Sequence, residues 1–113
     1  MEPNTPSQGT LAAQAIKVAD LVGYQAGSVV RRVIMKRNTG NVTLFAFDEK
    51  QELSEHTAPF DALVQVIEGE VEITISGKPT RTKAREMVLM PANQLHALKA
   101  LTQMKMLLTM IWG

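Results

Sequence analysis

His56 and His96 are the only two histidines in the 113-residue chain, and no cysteine accompanies them. An imidazole can ligate a transition metal through a ring nitrogen or carry a proton near neutral pH. Without cysteine there are no disulfides, thiolate metal sites or thiol nucleophiles. Glu55 and Asp61 lie near His56 in sequence, and either supplies the carboxylate of a carboxylate–histidine proton-transfer pair. Such neighbours more often sit side by side in solvent. No Ser-His-Asp arrangement has a supporting turn motif, and no glycine-rich phosphate loop is present. Read from the residues alone, the histidines are two separate polar tips lining an apolar cavity, each hydrogen-bonded in its own place.

The elements that must carry them read as all-β. Residues 1–10, rich in Pro, Ser, Thr, Asn and Gly, are expected to be loose, with a single domain over 11–113. A short strand at 15–18 and a turn at 19–23 follow. Val29 to Lys36 is a β-branched run closed by Asn38-Thr39-Gly40, and Val42 to Phe47 ends at the turn Asp48-Glu49-Lys50. Leu63 to Ile67 and Val71 to Ile75 suggest a hairpin around Glu68-Gly69-Glu70. In its second arm Val71, Ile73 and Ile75 alternate with Glu72 and Thr74, the pattern of a half-buried strand. Ser76-Gly77-Lys78-Pro79 turns the chain again. Met87 to Met90 is a short strand stopped by Pro91, and Leu95 to Leu101 and Met104 to Ile111 complete the set. About seven or eight short strands at roughly ten-residue spacing predict a sandwich or barrel with little helix.

Composition excludes several function classes. The net charge of +1 gives no electrostatic case for nucleic acid or an anionic membrane. The basic clusters Arg31-Arg32 with Lys36-Arg37, and Lys78 to Arg85, lie in strands and turns without interleaved aromatics, so they read as solvated edges. The N-terminal residues lack a basic region followed by an apolar stretch, and no apolar run approaches a membrane span, so a cytoplasmic protein is expected. Met87, Met90, Met104, Met106 and Met110 fall inside strands, as adaptable core filler or as an apolar pocket wall.

Glu68-Gly69-Glu70 after an apolar strand, then Met87-Val88-Leu89-Met90-Pro91-Ala92-Asn93 and His96, resembles the small single-domain cupins. The likeness runs from residue 28 to 111 and implies a jelly-roll β-barrel of two antiparallel sheets. The family's first motif reads G(X)5HXH(X)3–4E(X)6G and its second G(X)5PXG(X)2H(X)3N. Carried across, His56 takes the place of the first metal-binding histidine and Gly69 the closing glycine. Pro91 and His96 take the proline and histidine of the second motif. Lys50 and Arg85 replace the leading glycines, and Asn93 replaces an inner one. Ala58 stands in the second histidine's place, Ala62 in the glutamate's and Ala100 in the final asparagine's.

The resemblance implies that His56 and His96 meet across the barrel. It does not carry the family's metal chemistry over automatically, because half the donor set is gone. If Ala62 points into the barrel, Val64 and Val66 do too, while Asp61, Leu63 and Gln65 point away. Asp61 becomes a third ligand only if a β-bulge between 58 and 62 turns it inward; Gln65 meets the same parity objection. Gln94 and Asn93 read as turn formers. The expected cofactor is one divalent transition metal (Zn, Fe, Mn, Ni or Cu) or none. Ala58, Ala62, Val64, Met90, Met104 and Met106 are the expected pocket lining.

Three functions follow. The first is a cupin binding a small molecule, or a weakly held metal, near the two histidines. The second is a metal-dependent oxygenase, isomerase or decarboxylase. The third is a dimeric sensor or scaffold. As small cupins commonly pair through their sheets, a homodimer is expected, with the N-terminal strand and the tail MLLTMIWG as contributors. Trp112 then serves as an interface anchor or as a plug at the end of the core.

Overall fold

A computed structural model describes residues 11–112; the loose segment expected at 1–10 lies outside them. The strands are β1 (Val29–Arg37), β2 (Gly40–Phe47), β3 (Glu52–His56), β4 (Asp61–Glu68), β5 (Glu70–Ile75), β6 (Lys78–Lys83), β7 (Met87–Met90), β8 (His96–Ala100) and β9 (Met104–Ile111). They form a five-stranded sheet in the order β1-β2-β9-β4-β7 and a four-stranded sheet in the order β3-β8-β5-β6. Every pairing is antiparallel. The all-β jelly roll expected from the sequence is the fold found. Among the described residues no helix is long and apolar enough to cross a membrane.

The core lies between the two sheets. Phe45, Phe47, Val64, Val66, Met104 and Met106 face it from the larger sheet, and Val71, Ile73, Leu98 and Ala100 from the smaller. Burying each larger side chain contributes about 1.5–3 kcal/mol. Period-2 alternation in β4 and β5 sets which side chains enter: in β4, Ala62, Val64 and Val66 are buried while Asp61 and Gln65 are exposed.

The Glu68-Gly69-Glu70 turn is not a hairpin. β4 pairs with β9 and β7, whereas β5 pairs with β6 and β8, so the chain leaves one sheet and enters the other at Gly69. Gly69 has φ +79, and a Cβ there would meet the Gln103 carbonyl oxygen at 2.1 Å. The sequence pattern signalled a turn correctly but could not say which strands flank it in space.

Two strands had no apolar signature. β3 and β6 are the edges of the four-stranded sheet, and most of their residues are exposed. Edge strands with solvated faces need no alternation. Pro79, read as part of a turn, sits in β6, where an edge tolerates its missing N–H.

The strand expected at 15–18 is absent; a single turn of 3-10 helix spans Val18–Leu21 instead. This segment lies over the outer face of the five-stranded sheet and is pinned by side chains from below. Lys105 Nζ donates to the Ala19 carbonyl at 2.7 Å, and Arg32 donates to the Leu21 carbonyl at 3.1 Å. Tyr24 donates its hydroxyl to Glu68 at 2.5 Å, and its ring lies 4.9 Å from Lys105 Nζ. Burial, with the Glu68 carboxylate adding to it, pushes the Tyr24 hydroxyl well above its ordinary pKa. Under this strap Leu44 and Ala46 on β2 are fully buried, although they point away from the barrel.

Candidate functional site

His56 ends β3 and His96 opens β8. A register shift between Leu53 and His56 makes the two histidines cross-strand partners. Their Nε2 atoms lie 3.0 Å apart, with the rings edge-on at 74° and centroids 4.3 Å apart. His96 is buried at 6% exposure, and His56 stands exposed at the rim.

Hydrogen-bond accounting assigns the tautomers. His56 Nδ1 lies 2.7 Å from the Ser54 carbonyl oxygen, which can only accept, so Nδ1 carries a proton. In neutral His56 the Nε2 is then a lone pair, and His96 Nε2–H donates to it. That leaves His96 Nδ1 a bare acceptor, buried and without a hydrogen-bond partner. Burial lowers the His96 pKa below the usual histidine range, and the neighbouring His56 lowers it further; the Gln94 backbone offsets part of the shift. In this arrangement one N–H···N bond joins the two rings.

The loop before His96 is tied down on both sides. Asn93 N–H donates to the Ala58 carbonyl at 2.7 Å, Ala92 N–H to Asp61 Oδ1 at 2.9 Å, and Ser76 Oγ–H to Gln94 Oε1 at 3.2 Å. Trp112 packs on Phe60 at 5.1 Å between ring centroids and donates its indole N–H to the Asn38 carbonyl.

Three residues that replace family glycines keep the glycine-like backbone. Lys50 (φ 70), Arg85 (φ 75) and Asn93 (φ 65) all lie in the left-handed region. Each donates its backbone N–H into a turn-closing bond, to Ala100, Val66 and Ala58 respectively. This agrees with the register in which Lys50, Arg85 and Asn93 were matched to the glycines of the family pattern. It also predicts that Arg85→Gly stabilises the fold. Arg85 is exposed, and relief of left-handed strain of about 1–2 kcal/mol outweighs the roughly 0.5–1 kcal/mol entropic cost of glycine. The melting temperature should rise by a few degrees; a fall would mean that the strain is absent.

The expected third ligands do not join the histidines. Asp61 points to the outer face and accepts from the Ala92 N–H. Gln65 is exposed on the same outer face, beside Met87. Among the described residues no group of three or more His, Cys, Asp or Glu is placed to hold a metal. Two imidazoles without a carboxylate do not fit the resident metal centre that the family pattern implies.

Of the expected pocket lining, Ala62, Val64, Met90, Met104 and Met106 belong to the core cluster, and Ala58 is half-buried in the loop before β4. What sequence reasoning missed is the Ser54 carbonyl that orients His56. It is a backbone group, and no residue type announces it.

The cupin domain family model matches residues 43–112. A conserved protein of unknown function from Streptococcus pyogenes is 30% identical, with 89% of each chain covered and a TM-score of 0.85. A cupin 2 conserved barrel domain protein from Leptotrichia buccalis is 37% identical over 82% of this chain and 45% of its own, with a TM-score of 0.79. A cupin superfamily protein from Desulfitobacterium hafniense is 21% identical, covers 98% of this chain and 97% of its own, and has a TM-score of 0.85. No curated protein matches the chain. Two sheets in jelly-roll order, left-handed turns where the motifs place glycines, and a family match over most of the barrel agree: this chain belongs to the cupin domain family.

Proposed function

We propose that this cupin binds a small molecule, with the His56–His96 pair as its polar anchor. The observation that supports the reading is the Nε2–Nε2 contact of 3.0 Å between the two rings, one of them carrying a buried, unpartnered Nδ1. When the rings part, they offer an N–H donor beside a lone-pair acceptor. A ligand edge that pairs an acceptor with a donor, as in a carboxylic acid, a carboxamide or neighbouring hydroxyls, replaces the lost bond with two. Ala58, Ala62, Val64, Met90, Met104 and Met106 are the apolar wall in this reading, small where the family carries metal ligands and adaptable elsewhere. A cytoplasmic setting accords with a chain that has no cysteine.

The test is a thermal-shift screen of organic acids, carboxamides, sugars and aromatic compounds against the native chain, His56→Ala and His96→Ala. A ligand at about 100 times its Kd stabilises by about 2.7 kcal/mol. One class should raise the melting temperature of the native protein and neither variant. If no class does so, or if both variants respond equally, the reading fails.

A second reading is a weakly held divalent ion. It is favoured by the same 3.0 Å separation, which matches two adjacent ligands on a metal bound at about 2.1 Å. Metal retained at unit stoichiometry after purification, and lost in both histidine variants, would put this reading first.

A further inference from the structure

One end of the barrel carries two pairs of rings, one pair on each sheet. On the four-stranded sheet His56 closes β3 and His96 opens β8. On the five-stranded sheet β4 begins and β9 ends at this same end, where Asp61 pairs with Ile111. Residues 57–60 join β3 to β4 there. Phe60 is four residues from His56, so the two Cα atoms lie within about 14 Å of each other.

Alternation sets which way the second pair faces. Ala62, Val64 and Val66 of β4 enter the core, as do Met104, Met106 and Leu108 of β9, with Met110 packed against them. Asp61 and Ile111 are exposed on the outer face. Phe60 precedes one and Trp112 follows the other, so both carry the inward parity. They form the next step beyond the Ala62–Met110 pair, at the mouth of the barrel and on the sheet opposite the histidines.

The aromatic pair is held in place but not used up. Trp112 donates its backbone N–H to the Thr39 carbonyl at 2.8 Å and its indole N–H to the Asn38 carbonyl at 2.9 Å. The Phe60 ring lies against it, 5.1 Å between centroids and 51° between planes. Phe45 and Phe47 belong to the buried core cluster, whereas Phe60 and Trp112 stay outside it and are only half-buried. Two rings fixed by packing and hydrogen bonds, each with surface left uncovered, are pre-organised to stack on a third.

We infer that the molecule anchored by His56 and His96 is a planar aromatic acid or carboxamide whose ring stacks on Phe60 and Trp112. The inference rests on the proposed histidine anchor and adds the class of ligand to it. The acid or amide edge goes to the histidines and the ring to the aromatic pair. Sheets packed face to face stand about 10 Å apart, so one small molecule reaches both. Sugars and aliphatic acids satisfy the histidines but leave the aromatic pair uncovered.

Calorimetric titration of the full chain with benzamide and benzoate, each against its cyclohexane counterpart, tests the inference. The members of each couple share a polar edge and differ only in the ring. The native chain should bind one aromatic member about fivefold or more tightly than its counterpart. Trp112→Leu and Phe60→Leu should each bring that couple to within about twofold, and His96→Ala should lose both members. Trp112 is the chain's only tryptophan, so the aromatic ligand should also change the native fluorescence saturably, and the change should vanish in His96→Ala. That readout needs no variant of the aromatic pair and serves if Trp112→Leu fails to fold. Equal native affinities, or a preference that survives both leucine variants, would overturn the inference and leave the histidine anchor standing. A lower melting temperature in the leucine variants with the preference intact would make the rings a plug and overturn it too. If none of the four compounds binds, the inference falls, and the wider ligand screen decides the anchor separately.

Discussion

Gly69→Ala should cost about 4 kcal/mol or more, a large part of the roughly 5–15 kcal/mol that holds a domain of this size together. Two effects add. An alanine at φ +79 carries the left-handed penalty of about 1–2 kcal/mol. Its Cβ would also stand 2.1 Å from the Gln103 carbonyl oxygen and 2.7 Å from the Met104 Cα, both in backbone that cannot rotate away. Relief requires the β4–β5 crossing to separate from the start of β9. Gly77 provides the control: its φ is +81, but a methyl group added there would have nothing within 4 Å. Gly77→Ala should therefore show the conformational penalty alone. In thermal melts Gly69→Ala should lose about 15–30 °C and Gly77→Ala less than half of that. Equal losses would show that the crossing is not held by close approach.

The second large effect concerns the missing donors. Ala62 is buried on the inner face of β4, and Ala58 precedes it in the loop bonded to Asn93. In the combined variant Ala58→His with Ala62→Glu, the family's donor set is restored around His56 and His96. Without metal, an unpaired carboxylate in the core should destabilise by about 3–5 kcal/mol. A divalent metal at about 1,000 times its Kd returns about 4 kcal/mol. The expected result is a variant that melts early when metal-free and recovers with Zn, Ni or Mn, while the native chain responds weakly or not at all. Adding His56→Ala should abolish the recovery. A melting curve indifferent to metal would show that the alanines do not occupy ligand positions.

The fold was legible wherever burial imposed a pattern. Val71, Ile73 and Ile75 alternate because one face of β5 meets the core, and the sequence displays it. β3 and β6 left no such trace, since an edge strand answers to hydrogen bonding and solvent, not to a buried face. The N-terminal segment was misread for a related reason. Its apolar residues cover the outside of a sheet without pairing to it, so neither helical nor strand periodicity applies. At the site, parity within β4 placed Asp61 and Gln65 outside, as the structure has them. The meeting of the two histidines was legible only through the motif, because β3 and β8 are far apart in sequence. Their protonation pattern was not legible at all: it depends on the Ser54 carbonyl and on which nitrogen is left without a partner.

The strand order carries a consequence for biosynthesis. β9 is the middle of the five-stranded sheet, yet eight strands precede it along the chain. As the polypeptide emerges from the ribosome, β2 and β4 wait with unpaired edges for a strand not yet made. β8 fills the equivalent role between β3 and β5 and is also late. The barrel therefore cannot close piecemeal during translation. Folding should begin in earnest only once Met104 to Ile111 have cleared the exit tunnel, and it should be slow for a chain this short, because five of the seven strand pairings join segments distant in sequence. Until then the nascent protein presents the open strand edges that chaperones recognise.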